Sequence, residues 1–130
     1  MNADVVRSAL AHWNARAELT EEAFAEFAQP DMVLDLRSNV LNPGTFEGFD
    51  GILRFADQVG EVWAEFRMEP EDVYEHGDLV VALVRGVGTG LGSGVQIDAP
   101  VAVVCEMREG RIASFRVEPD LEAALRVIGR

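Results

Sequence analysis

Apolar residues recur at helical spacing near the start of the chain. Val6, Leu10, Trp13 and Ala17 share one side of residues 3–17 and predict an amphipathic helix. Thr20 suits the N-cap of a second helix, with Glu21 and Glu22 in the first turn, where the helix dipole favours acids. Phe24, Phe27 and Ala28 form its apolar side. Gln29-Pro30 ends it, because a residue before proline avoids the α region. Met32 to Arg37 reads as a short strand, and residues 38–48 as a loop turning at Asn42-Pro43-Gly44. A third helix is predicted from Asp50 to Trp63, with Ile52, Phe55, Ala56 and Val59 on one side.

The pattern then changes period. Phe66 and Met68 alternate with Glu65, Arg67 and Glu69, which marks a strand. Residues 72–76 lead into a turn at His76-Gly77-Asp78. A long strand follows from Leu79 to Val87, and a second from Val95 to Met107. Glu109-Gly110 turns the chain into a final strand, Arg111 to Glu118. Pro119-Asp120 stops it, and Leu121 to Ile128 can close the chain as a short helix. Helices first and a meander of strands afterwards is an α+β order. No repeat or linker interrupts it, so residues 1–130 read as one domain.

Composition narrows the setting. At 48% hydrophobic, 130 residues can bury a core without metal or disulfide staples. The formal net charge of −12 repels phosphate backbones and anionic headgroups. The eleven basic residues are all arginine and are scattered, so neither nucleic acid nor membrane is expected as a partner. A single cysteine, Cys105, rules out an intrachain disulfide and fits a cytoplasmic location. The first residues carry charge throughout, with no apolar signal core.

Motif chemistry is sparse. Glycines fall at 86, 88, 90, 92 and 94, but no register satisfies G-x-G-x-x-G, and the run lies between strands. It reads as a flexible, strongly twisted hairpin tip. His12 and His76 are the only histidines, and no Cys/His cluster suggests a metal. No cofactor is implied. Cys105 reads as a buried core thiol.

The ordered pieces Pro30-Asp31-Met32-Val33-Leu34-Asp35, Phe46-Glu47-Gly48-Phe49-Asp50-Gly51-Ile52, Trp63, Phe66, Glu69-Pro70-Glu71, Gly77-Asp78-Leu79-Val80-Val81, Ser93-Gly94, Glu109-Gly110-Arg111-Ile112, and Asp120 with Glu122-Ala123-Ala124-Leu125 cover most of the chain. Together they resemble the SnoaL-like family of the nuclear transport factor 2-like, or ketosteroid isomerase-like, superfamily. The resemblance implies a cone-shaped α+β barrel in which three N-terminal helices pack over a strongly curved antiparallel sheet, with an apolar cavity inside. Trp13, Trp63, Leu83, Val103, Cys105, Phe115 and Val117 are the residues expected to line that cavity. The family includes isomerases, polyketide cyclases and epoxide hydrolases, so fold alone does not choose a reaction.

By position after the second helix, Asp35 matches the aspartate that ketosteroid isomerases use as general base. Burial would raise its pKa toward a useful value. Arg85 interrupts an apolar strand and shares a side with Val81 and Leu83. If that side faces the cavity, Arg85 needs an anionic partner, and Asp35 is the natural one. The pair would either bind a carboxylate or enolate, or form a buried salt bridge. The isomerase oxyanion donors are missing, since Ala9, Leu10 and Val103 stand near their places, and turnover of Δ5-3-ketosteroids is not expected. The epoxide hydrolase set is incomplete too, with Val87 and Val117 where acids would stand. Three readings follow. One is an isomerase, cyclase or hydrolase using Asp35 and Arg85. The second is a non-catalytic binder of a small apolar molecule. The third is a dimeric interaction module. The resemblance implies a homodimer through the outer sheet face, and the late strands, apolar on both sides, need cover of that kind.

Overall fold

The computed structural model of the protein describes residues 2–15, 18–37 and 44–127. Ala17, the Asn42-Pro43 part of the loop turn and Ile128 lie outside these. The elements run α1 (Asn2–Asn14), α2 (Glu21–Phe27), β1 (Ala28–Asp35), β2 (Thr45–Glu47), α3 (Gly48–Val62), β3 (Trp63–His76), β4 (Leu79–Gly90), β5 (Gln96–Arg108), β6 (Arg111–Glu118) and α4 (Leu121–Val127). Thr20 caps α2 as expected, its hydroxyl oxygen accepting the Ala23 N–H at 3.1 Å. The strand at Arg111–Glu118 begins and ends where the alternation does.

The six strands form one curled, unclosed sheet in the order β2-β1-β6-β5-β4-β3. The α+β cone is therefore present, with two corrections. The short strand β2 lies within the stretch expected to be a loop, and β1 pairs β6 in parallel, so the sheet is mixed. Register shifts at Trp63/Glu65 and Pro70/Asp72, and again at Glu106/Met107, add the local bends that curl a sheet.

The concave face carries the core. Val6 and Leu10 of α1 and Phe55 of α3 are buried there against Val80, Ala82, Val84, Val103, Cys105, Ile112 and Phe115. At Gly51, a Cβ would come within 2.9 Å of the Phe46 backbone, so glycine is what lets α3 lie this close to β2. The end of α1 is tied to β3, an edge strand with unpaired backbone groups. The Asn14 amide donates to the Met68 carbonyl at 2.7 Å and accepts the Met68 N–H at 2.7 Å, as a neighbouring strand would. Trp13 Nε1 donates to the Phe66 carbonyl beside it, at 3.1 Å.

The fourth helix, α4, lies on the opposite, convex face. There Ala124 packs with Val81, Ala102 and Val104, and Leu83 adjoins this cluster. Apolar residues on both sides of the late strands are thus partly explained within one chain.

Candidate functional site

Strand β4 explains where the fold opens. Its concave-facing positions alternate along the strand as Val80, Ala82, Val84, Gly86, Gly88 and Gly90. The first three pack the core, with Val80 and Ala82 fully buried. From Gly86 onward the side chains vanish, and nothing on β4 fills the space above the sheet. The facing residues of β5 there are Ile97 and Ala99. A pocket of about 660 Å³ occupies this end of the cone.

Its walls are Leu34 of β1 and Leu36 just beyond it, Phe55, Val59 and Val62 of α3, Trp63, Phe66 and Met68 of β3, Gly86 and Gly88 of β4, Ile97, Ala99 and Val101 of β5, and Phe115 and Val117 of β6. Among the described residues its polar lining is Gln58, Glu61 and Glu118, with Pro119 next to the last of these. Gln58, Glu61, Val62 and Pro119 are exposed and mark the mouth. Trp63 and Phe66 stack, with ring centroids 6.1 Å apart and planes inclined by 23°. The indole lies over Gly88, where a Cβ would stand 3.0 Å from Trp63 Cε3. Around this mouth, Val62, Leu91 and Val95 are each more than half exposed.

A second, smaller hollow of about 120 Å³ lies between α1, α2, α3 and the sheet. Trp13, Phe24, Phe27, Phe49 and Ile52 line it, with His12 and Thr20. Leu34, Phe55, Met68 and Phe115 line both hollows and so form the partition between them.

The expected lining residues divide accordingly. Trp63, Phe115 and Val117 border the larger pocket, and Trp13 borders the smaller one. Val103 and Cys105 are sealed in the core, with no exposed surface. Burial pushes the Cys105 thiol well above its ordinary pKa, so no thiolate is available there. Leu83 corrects the expectation outright, since it belongs to the convex-face cluster beside α4.

Asp35 and Arg85 are not brought together. Leu34 and Leu36 face the pocket, so Asp35 between them faces the convex side, where its ladder partner is Arg116. Its carboxylate accepts Nε and Nη2 of Arg37 at 3.0 and 2.8 Å, and the Arg37 N–H at 3.1 Å. The Arg37 guanidinium holds this carboxyl below the usual carboxylate range, partial burial opposing it and Arg116 adding to it. Arg85 shares its side with Val81 and Leu83, as expected, but that side is the convex one. Arg85 Nε meets Asp98 Oδ1 at 2.5 Å and its Nη1 lies 3.7 Å from Glu71 Oε1. Between Asp35 and Arg85 stand two further strands, β6 and β5. That is roughly 14 Å across the sheet at the usual strand spacing. The late strands are apolar on both faces, so alternation alone could not say which face looks inward. The glycines at even positions could have. They mark the side on which β4 leaves space, and they point to the wall residues missed in the sequence, Ile97 and Ala99.

Among the described residues, no group of three His, Cys, Asp or Glu side chains is arranged to hold a metal ion. Among the same residues, no helix is long and apolar enough to cross a membrane.

Residues 6–115 match the family model described as the SnoaL-like domain. No curated protein matches the sequence significantly. Several solved structures share the fold. An NTF2-like protein of unknown function from Burkholderia pseudomallei superposes with a TM-score of 0.77 at 23% identity, covering 99% of this chain and 98% of its own. A candidate SnoaL-like polyketide cyclase from Jannaschia gives a TM-score of 0.75 at 22% identity, covering 98% and 90%. A protein of ketosteroid isomerase-like fold from Catenulispora acidiphila, solved with trimethylamine, gives 0.74 at 17% identity, covering 94% and 89%.

Proposed function

The chain belongs to the SnoaL-like domain family, and on that premise we propose that it binds a small, largely apolar molecule in the pocket floored by Gly86 and Gly88. The observation that carries this reading is the composition of the wall. Its described lining is aliphatic, aromatic or glycine, apart from Gln58 and Glu61, which are exposed, and Glu118, a buried carboxylate already paired with Arg116. Such a wall offers shape and desolvation, which drive the binding of apolar ligands. Proton transfer needs an acid or base within hydrogen-bond reach of the substrate. Asp35 and Arg85, the residues that sequence suggests for that task, are engaged by Arg37 and by Asp98 on the other face. Binding therefore has better support than isomerase, cyclase or hydrolase chemistry through this pair.

The test is titration with the neutral apolar dye N-phenyl-1-naphthylamine. Saturable fluorescence enhancement at one site per chain is expected, accompanied by a change in tryptophan emission, since Trp63 forms part of the wall. A linear, non-saturating response would refute the reading.

We also propose self-association through the convex face. Beside the patch that α4 covers, Leu83 is only half-buried and Tyr74 is 51% exposed. Light scattering at micromolar concentration is expected to give the mass of two chains. The mass of one chain would remove this proposal and leave the pocket reading untouched.

A further inference from the structure

The smaller hollow has no part in the pocket as described. It measures about 120 Å³, and its walls are almost wholly apolar. Of the two polar residues described on its walls, Thr20 already accepts the Ala23 N–H, and His12 keeps its Nε2 buried out of reach. Water in such a space needs about two to four polar partners, so it gains little there. Protein interiors close-pack, and unfilled apolar space costs stability in proportion to its volume. Ala9 of α1 and Ala28 of β1 stand on its walls, where longer apolar side chains would reach into it. The sequence keeps this space open.

From this we infer that the smaller hollow receives the alkyl end of the ligand, and that Met68 is the gate the chain passes. The ligand class is then an apolar body, held in the larger pocket, that carries an unbranched alkyl chain. This rests on the apolar-ligand reading above and sharpens it. Size sets the chain. An apolar cavity of roughly 150 Å³ holds the six carbons of benzene, so the smaller hollow takes about four or five. Continuity sets the route. Leu34, Phe55, Met68 and Phe115 border both spaces, so one layer of side chains separates them. Phe55 is braced by two rings, Trp13 at 5.5 Å and Phe46 at 5.6 Å. Met68 is the adaptable member, an unbranched and flexible thioether. The Asn14 amide clamps its backbone at 2.7 Å in both directions, so the side chain alone needs to move. It also has room. Its partner across the sheet is Gly86, where a Cβ would meet Phe66 at 3.9 Å and nothing of Met68 within 4 Å. A gap opened by one side chain passes an alkyl chain and stops a ring, which assigns the hollow to the chain.

A series of 6-acyl-2-dimethylaminonaphthalenes, from acetyl to octanoyl, tests this through the probes' own fluorescence. Affinity should rise about threefold with each added methylene, a little under the full transfer value because each also loses a rotor. The rise should level off once the hollow is full. Ala9→Leu, which extends a side chain into the hollow from α1, should flatten the series. Isoleucine methyl resonances give a readout that needs no variant, since among the described walls Ile97 borders the larger pocket alone and Ile52 the smaller hollow alone. The acetyl probe should move Ile97 and leave Ile52 in place, and the hexanoyl probe should move both. Met68→Ile replaces the flexible chain by a stiff branched one, and should slow association of the hexanoyl probe relative to the acetyl probe. A flat wild-type series, a rise that survives Ala9→Leu, an Ile52 resonance unmoved by the hexanoyl probe, or relative rates unchanged by Met68→Ile would each overturn the inference. If even the acetyl probe fails to bind saturably, the apolar-pocket reading itself has failed. If the acetyl probe binds saturably and the series is flat, only the role of the smaller hollow is lost.

Discussion

The concave positions of β4 hold two environments on one strand. At Val80, Ala82 and Val84 the space is filled to the point that no surface is left to water. Two residues beyond Val84, at Gly86, a Cβ would meet nothing closer than 3.5 Å, and the pocket begins. Backbone, sheet and face are the same, and only side-chain size differs. A core and a ligand site are here one surface built at two levels of filling, so stability and binding should respond to opposite kinds of substitution.

The largest effect should come from emptying the filled end. Val84→Ala removes two buried methyl groups beneath a core that cannot collapse fully, and should cost about 2 kcal/mol of stability. Denaturant unfolding would measure this, and dye affinity should hold. Filling the empty end should do the reverse. Gly86→Leu places a side chain where a Cβ meets only ordinary contacts, with the Ala99 carbonyl at 3.5 Å and Phe66 at 3.9 Å, and should weaken dye binding by more than about tenfold, roughly 1.4 kcal/mol, while the melting temperature shifts little. If Gly86→Leu destabilises as much as Val84→Ala, the two ends are not distinct environments, and the pocket is a strained part of the core. The smallest effect is a control on the other face. Asp35→Asn gives up hydrogen bonds to a largely exposed Arg37, and should cost about 1 kcal/mol near neutral pH without altering dye affinity. Its sign with pH is fixed by the lowered pKa. The stabilisation is complete above the unfolded-state value near ~3.9 and is lost as pH falls through the lower folded value. Wild-type stability should therefore fall below about pH 4, and the Asp35→Asn variant should lack that part of the decline.

Most of the fold was legible because its signals are local. The Thr20 cap, the alternation from Arg111 to Glu118 and the apolar side of α3 depend on residues a few places apart. The parallel pairing of β1 with β6 joins residues some eighty positions apart, and no local pattern encodes it. The three-residue β2 is too short to show a period. At the candidate site, Met32-Val33-Leu34-Asp35-Leu36 already put Asp35 on the side opposite the leucines. The structure follows that parity, with Leu34 and Leu36 toward the pocket and Asp35 beside Arg116 on the other face.

The sheet order also has a consequence in time. Strands β3 to β6 form a meander whose partners are neighbours in sequence, so their pairings close short loops. Strand β1 must wait for β6, the last strand in the chain, before it gains its main neighbour. Distant pairings of this kind slow folding. During synthesis, the first strand to leave the ribosome finds its place only after the last has emerged. Leu34 rides on that strand and Leu36 follows it directly, so the wall they provide is the last to be added. Refolding should accordingly show the β3–β6 backbone protected from hydrogen exchange before Trp63 reaches its final emission, and a ligand should speed no step that precedes the docking of β1.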